Sequence, residues 1–262
     1  MGYESIVYAV GDDHVATITL NRPDKLNAFN RVMLDEFVAA WTAVREDDGV
    51  HTVVVQGAGD RAFSAGLDVT DPRARAASTA TVPFGQRDPG MSLGPKANRV
   101  WKPVVCAVHG TAGGGAFYWI NESDIVICSD DAQFFDPHVT YGMTSALEPI
   151  GLRWRIPLGE ALRWALMGLD ERMTADRALQ IGLVSEVVPR AQLAERAHQI
   201  AATIAAKPTV ATQGTVRAIW ESLDMGRTQA LNTSLSYVQL GNAIGEQQVN
   251  RSNVERPTPR LR

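Results

Sequence analysis

The stretch PVVCAVHGTAGGGAFYWINESDIVIC, residues 103–128, holds two short apolar runs, Pro103–Val108 and Ile125–Cys128. They are joined through Gly113-Gly114-Gly115 and a helix-length segment that ends near Ser123. Runs this short and this apolar read as strands buried on both faces. Strand, helix, strand in that order implies a parallel pair with a right-handed crossover. The fold class is therefore α/β.

Outward from this centre the same alternation continues. On the N-terminal side, Val7–Val10 and Val15–Leu20 flank Gly11-Asp12-Asp13-His14 and read as a hairpin. Asn21-Arg22-Pro23-Asp24 breaks the second strand. Asn30 is suited to cap a helix running to about Arg45, with Leu34, Phe37, Val38, Trp41 and Val44 on one stripe. Thr52–Gln56 is another apolar strand, followed by Phe63-Ser-Ala-Gly-Leu-Asp68. Residues 71–100, rich in Ala, Pro, Gly, Arg and Ser, show no period and read as a long loop with at most one short helix. On the C-terminal side, Gln133–Phe135 is a short strand, Thr174 caps a helix that Gly182 stops, and Val184–Val188 is a strand. From Ala191 to about Gln248 only helices are expected. No internal repeat or low-complexity tract is visible. The division is a core over 1–190 and a helical region over 191–262 for packing and oligomerisation.

Composition narrows the function. Against 29 Asp+Glu stand 25 Lys+Arg, for a net charge of −4, which argues against a nucleic-acid partner. Cys106 and Cys128 sit inside apolar runs and read as buried small hydrophobes. No Cys/His spacing suits a metal, no run suits a membrane span, and the N-terminus lacks a signal-peptide pattern. A cytoplasmic protein without membrane contact is expected.

The three glycines admit close backbone approach, and the first amides of the following helix are unpaired. Such a terminus can polarise a carbonyl oxygen. Tight strand–helix packing explains the glycines equally well, so spacing alone does not decide. Ser64-Ala65-Gly66-Leu67-Asp68 could offer a second amide; Ser64 is not in a GxSxG frame and is not read as a nucleophile. Trp119, Trp154 and Trp164 read as core or interface.

Taken in order, several motifs resemble the crotonase family, also called the enoyl-CoA hydratase/isomerase superfamily. They are Ile18-Thr-Leu-Asn-Arg-Pro-Asp-Lys-Leu-Asn-Ala-Phe29, Arg61-Ala-Phe-Ser-Ala-Gly-Leu-Asp68, Lys102–Gly110 leading to Gly113–Gly115, Asp124-Ile-Val-Ile-Cys-Ser129 and Ala178-Leu-Gln-Ile-Gly-Leu-Val-Ser-Glu-Val-Val-Pro189. The resemblance covers about residues 5 to 206. It implies a crotonase-type repeated ββα spiral core with a C-terminal helical extension, assembled as a homotrimer or homohexamer. It also implies an acyl-CoA thioester substrate, a place in fatty acid metabolism, and two backbone amides that hold the thioester oxygen as it becomes an enolate. Those amides map to Leu67 and Gly115. Coenzyme A would be part of the substrate, with no separate cofactor and no metal.

The family's hydratase glutamates map to Tyr118 and His138, so both are replaced. Ordinary hydration, which needs two carboxylates around a water, is not expected. His138 has an ordinary pKa of about 6.5, suited to proton transfer near neutrality, and Tyr118 offers a phenol. Glu148 is a further candidate acid, although the position at which some relatives carry one maps to Ala146. Substrate contacts are expected from Arg22, Lys25, Leu26, Ala28, Ala65, Gly66, Asp68, Gly114 and Tyr141. The lysine that relatives often carry two residues after the Asp of the Ala-Gly motif is Thr70 here. The expected function is an enoyl-CoA hydratase/isomerase-like lyase or isomerase. Isomerisation, decarboxylation and carbon–carbon cleavage would all use the same oxyanion hole. A non-catalytic acyl-CoA-binding protein of the same fold is the alternative.

Overall fold

The structure is a computed structural model describing residues 2–72, 88–249 and 258–260. Part of the expected loop at 71–100, residues 73–87, lies outside the described residues.

Among the described residues, ten strands form two sheets. The larger has the order β1-β2-β3-β5-β7-β10, with β1 (Ile6–Val10), β2 (Val15–Leu20), β3 (Thr52–Gly57), β5 (Val104–Val108), β7 (Ile125–Ser129) and β10 (Glu186–Val188). Only β1–β2 is antiparallel, as the predicted hairpin requires; the other pairs are parallel. The smaller sheet has the order β4-β6-β8-β9, with β4 (Ala62–Ser64), β6 (Thr111–Gly113), β8 (Gln133–Phe135) and β9 (Met173–Thr174). Strands β3, β5 and β7 each go to the large sheet, and the strand that follows each goes to the small one. This is the expected spiral of ββα turns, built without detectable sequence repetition.

The large sheet is apolar on both faces because both are covered. Ile18, Leu20, Val53, Val55, Cys106 and Val126 face the main core. Val15, Val54, Val105, Ala107 and Ile127 face the other way. Helix α1 (Arg31–Glu46) packs into the main core with Met33, Leu34, Phe37, Ala40, Trp41 and Val44. Asn30 caps it, its side chain accepting from the Met33 N–H. Val38, placed on the buried stripe by sequence, is exposed; Met33 and Ala40 belong to that stripe instead. The Trp41 Nε1–H donates to the Leu93 carbonyl, so a large apolar ring is buried without stranding its polar atom.

The remaining helices among the described residues are α2 (Phe117–Glu122), α3 (Leu147–Leu152), α4 (Leu158–Leu166), α5 (Ala175–Gln180), α6 (Leu193–Ala205), α7 (Thr209–Ser222) and α8 (Arg227–Gly245). Thr174 caps α5 as read from the sequence. The C-terminal helical region divides. Helix α6 lays Leu193, Ala197, Ala201 and Ala205, a four-residue repeat on one face, against the second face of the large sheet. It therefore completes the core. Helices α7 and α8 pack against each other, tied to the core where the Trp220 Nε1–H donates to Asp124. Asp124 also accepts from Lys96 Nζ and from the Val104 N–H. Trp119 and Trp164 are core residues, whereas Trp154 is exposed under Arg153. Cys106 and Cys128 are free and buried, and burial pushes both thiols up to about 12. Among the described residues no helix is long and apolar enough to cross a membrane.

One buried amide ties the first motif to the second. Asn27 is fully buried with φ of 52°. Its Nδ2 donates to the Ala58 and Ala62 carbonyls, and its Oδ1 accepts from the Arg22 N–H. Asn27→Ala would remove the partner of three backbone groups, at Arg22, Ala58 and Ala62, that are buried or part-buried. It is expected to cost about 3 kcal/mol or more, read as a lowered denaturant midpoint.

Candidate active site

The site is built where the second and third motifs meet. Gly66 has φ of +87°, and a Cβ added there would fall 2.8 Å from the Gly113 carbonyl oxygen and 2.9 Å from the Gly115 nitrogen. Only a glycine allows this contact. A parallel bridge joins Phe29 to Leu67 through two bonds: the Phe29 N–H donates to Gly66, and the Asp68 N–H donates to Phe29. Such a bridge engages the Gly66 carbonyl and the Asp68 N–H on either side of Leu67, so the Leu67 N–H points away from Phe29. Gly115 is the second residue of a 3-10 turn spanning Gly114–Ala116, where an N–H has no acceptor within the turn. The Leu67 and Gly115 N–H groups therefore flank the contact between Gly66 and Gly115. Ser64 has a purely local role: its hydroxyl donates to the Asn27 carbonyl and accepts from the Gly66 N–H.

A cluster of titratable side chains lies beside these amides. A Cβ on Gly114 would meet His138 Cε1 at 3.7 Å. His138 begins a 3-10 turn, His138–Tyr141, just after β8. Its Nδ1 is hydrogen-bonded to Asp136, and its Nε2 lies 4.0 Å from Glu148 Oε1. Glu148, in the first turn of α3, is buried. The Asn121 side chain holds that turn by donating to the Glu148 carbonyl. The Tyr118 hydroxyl donates to Asp88 at 2.9 Å, and the Tyr118 ring lies against Gly90.

The electrostatics follow from this packing. The hydrogen bond to Asp136 raises the His138 pKa against the opposing effect of burial, with Glu148 and Asp88 adding to the rise. Burial raises the Glu148 carboxyl. Burial, followed by Glu148 and Asp88, raises the Tyr118 phenol far out of the titrating range. The cluster therefore holds a histidine displaced toward its charged form and a glutamate displaced toward its neutral form.

Several other residues named from sequence serve the loops that carry the amides. Arg22 pairs with Asp68 at 2.9 Å and also donates to the Ala28 carbonyl. Its guanidinium is engaged within the chain, and Asp68 is occupied by Arg22 and Thr70. Leu26 accepts from the Ala65 N–H, which fixes the first motif against the second. Lys25 and Tyr141 are exposed. A cavity of about 400 Å³ lined by Phe134, Arg163, Trp164 and Arg172 contains none of the catalytic or substrate-binding residues expected from the sequence.

Two residues escaped the sequence reading. Asp136 lies two positions before His138, an Asp-Pro-His spacing whose Asx turn was a readable signal. Asp88 precedes Pro89-Gly90 and caps a 3-10 turn, but nothing local linked it to Tyr118.

Comparison with known proteins gives a consistent result. A family model described as enoyl-CoA hydratase/isomerase matches residues 11–244. A mitochondrial Delta(3,5)-Delta(2,4)-dienoyl-CoA isomerase of Homo sapiens is 31% identical, over 98% of this chain and 82% of the relative. An (E)-benzylidenesuccinyl-CoA hydratase of Thauera aromatica is 32% identical over 81% of each chain. The crystal structure of an enoyl-CoA hydratase/isomerase from Mycobacterium paratuberculosis superposes with a TM-score of 0.87 at 36% identity, covering 96% of this chain and 95% of that one.

The raised His138 pKa has a signed consequence for stability. A group whose folded pKa lies above its unfolded value stabilises the fold fully below the unfolded value, about 6.5, and loses that contribution as pH rises through the folded value. The stability advantage of the wild type over His138→Gln should therefore shrink as pH is raised from about 6 to about 9, measured by denaturant unfolding at each pH.

Proposed function

The chain belongs to the enoyl-CoA hydratase/isomerase family, and from that membership we propose that it isomerises an unsaturated acyl-CoA thioester by proton transfer through an enolate. The Leu67 and Gly115 N–H groups hold the thioester oxygen, stabilising the negative charge that develops there. One of the His138–Glu148 pair takes a proton from one carbon, and a proton is returned to another. The double bond moves, and no water is consumed. Tyr118 and Asp88 close the side of the site next to Glu148.

The observation that carries this reading is the buried Glu148 carboxyl 4.0 Å from His138 Nε2, beside the Gly114–Gly115 turn. Hydration in this family uses two carboxylates to hold one water, and those positions are Tyr118 and His138 here. Decarboxylation is disfavoured because a substrate carboxylate would enter a cluster that already holds Asp88, Asp136 and Glu148. The free, buried thiols of Cys106 and Cys128 suit a reducing compartment such as the cytoplasm.

An acyl-CoA panel with mass and NMR detection in deuterated water tests the reaction. Deuterium incorporation and double-bond migration without addition of water are expected for at least one substrate. Glu148→Gln should lower that turnover by about 10²-fold or more. Gly66→Ala, which forces the two amides apart, should lower it by about 10²–10³-fold. A crotonyl-CoA hydration rate matching ordinary hydratases overturns the reading. Tight acyl-CoA binding with no turnover across the panel would assign a binding role instead.

We also propose a homotrimer or a pair of trimers. The exposed apolar side chains support it: Ile150, Leu158, Leu162 and Leu166 on α3 and α4, and Leu231, Leu235, Leu240 and Ile244 on α8. Light scattering at micromolar concentration should give three or six chains, and a monomer counts against it.

A further inference from the structure

Asp136 is wholly buried, and its described polar partners are few. One carboxylate oxygen accepts from the His138 N–H at 3.2 Å and is hydrogen-bonded to His138 Nδ1. The other accepts from the Ser145 hydroxyl. No lysine or arginine pairs with it among the described residues. Burying a carboxylate without a fixed cation is costly. A turn-former alone would not need the charge, because the neutral Asn amide offers the same acceptor to the His138 N–H.

The histidine explains the charge. A carboxylate on Nδ1 keeps the ring hydrogen there in the neutral form, leaves the lone pair on Nε2, and favours the imidazolium once Nε2 is protonated. Nε2 is the atom turned toward Glu148. The titratable groups facing the ring are Asp136 from its own turn, Glu148 from α3, and Asp88 from the segment before Tyr118's partner turn.

We propose that Asp136, pinned by Ser145, is a positioning residue for proton transfer at His138: it fixes the ring plane, holds the hydrogen on Nδ1 and reserves Nε2 for exchange with the substrate. This rests on the acid–base role assigned to His138 above. It adds a three-residue relay, Ser145–Asp136–His138, in which only the histidine touches the reacting atoms.

The test uses the whole protein without any ligand. Long-range proton–nitrogen NMR reads the protonation of both His138 nitrogens across a pH titration, with His138→Gln identifying the signals. In the wild type the neutral ring should carry its hydrogen on Nδ1. In Asp136→Asn the titration midpoint should fall by about one unit or more, or the hydrogen should move to Nε2. Ser145→Ala should move the midpoint in the same direction by less, and it carries the test if Asp136→Asn fails to fold. On a thioester that the panel turns over, Asp136→Asn should lower kcat with KM little changed. An Nε2–H wild-type ring overturns the proposal, as does a folded Asp136→Asn protein with unchanged midpoint and tautomer. So does an unchanged Ser145→Ala protein when Asp136→Asn does not fold. These outcomes concern the free protein, so they are separable from a failure of the acyl-CoA panel, which would bear on the isomerase reading alone.

Discussion

Two backbones meet at Gly66 and Gly115 closer than any side chain would allow, and much of the architecture serves that contact. The Ala65 N–H donates to Leu26 and the Phe29 N–H donates to Gly66, so the first motif clamps the second from one side. Arg22 and Asp68 close the clamp with an ion pair, and Asn27 fastens it to the carbonyls of Ala58 and Ala62. From the other side, β6 delivers the glycine turn in parallel register with β4 and β8. The motifs at 18–29, 61–68 and 102–115 are far apart in sequence but form one joint.

The acid–base cluster has a different character, because it rests on side chains rather than backbone. Asp88, Asp136 and Glu148 surround one imidazole, and each comes from a different segment. Tyr118 contributes a phenol that burial keeps protonated. Two neutral donors, the Tyr118 and Ser145 hydroxyls, each serve one of these carboxylates. The charge on His138 therefore responds to three carboxyl groups at once, with Asp136 the dominant partner through its direct hydrogen bond.

The parts legible in the sequence were those with local signals. Parallel strands buried on both faces leave unbroken apolar runs such as Val104–Val108, and caps such as Asn30 and Thr174 are written in single residues. The pairing of Leu67 with Gly115 was implied by the family resemblance, and the positions of His138 and Tyr118 by gap-free counting along the chain. Side-chain pairing across long separations was not legible: the Asp88–Tyr118 bond spans 30 residues, and no periodicity encodes it. The commitment of Arg22 to Asp68 was hidden for the same reason, since a basic turn residue looks alike whether it faces a phosphate or a carboxylate. Val38 was misplaced because a valine on the edge of an apolar stripe has no sequence mark separating the buried side from the wet one.

The cover that α6 lays over the large sheet also bears on how the chain is made. Strand β5 ends at Val108, and the helix that shields the second face of β2, β3, β5 and β7 ends at Ala205. Ribosomes add about 5–20 residues per second, so the wet side of Val54, Val105 and Ala107 waits roughly 5–20 s for its lid during synthesis. Through that interval a parallel sheet with an apolar back is open to solvent. Chaperone binding would be concentrated there, on nascent chains between these two lengths.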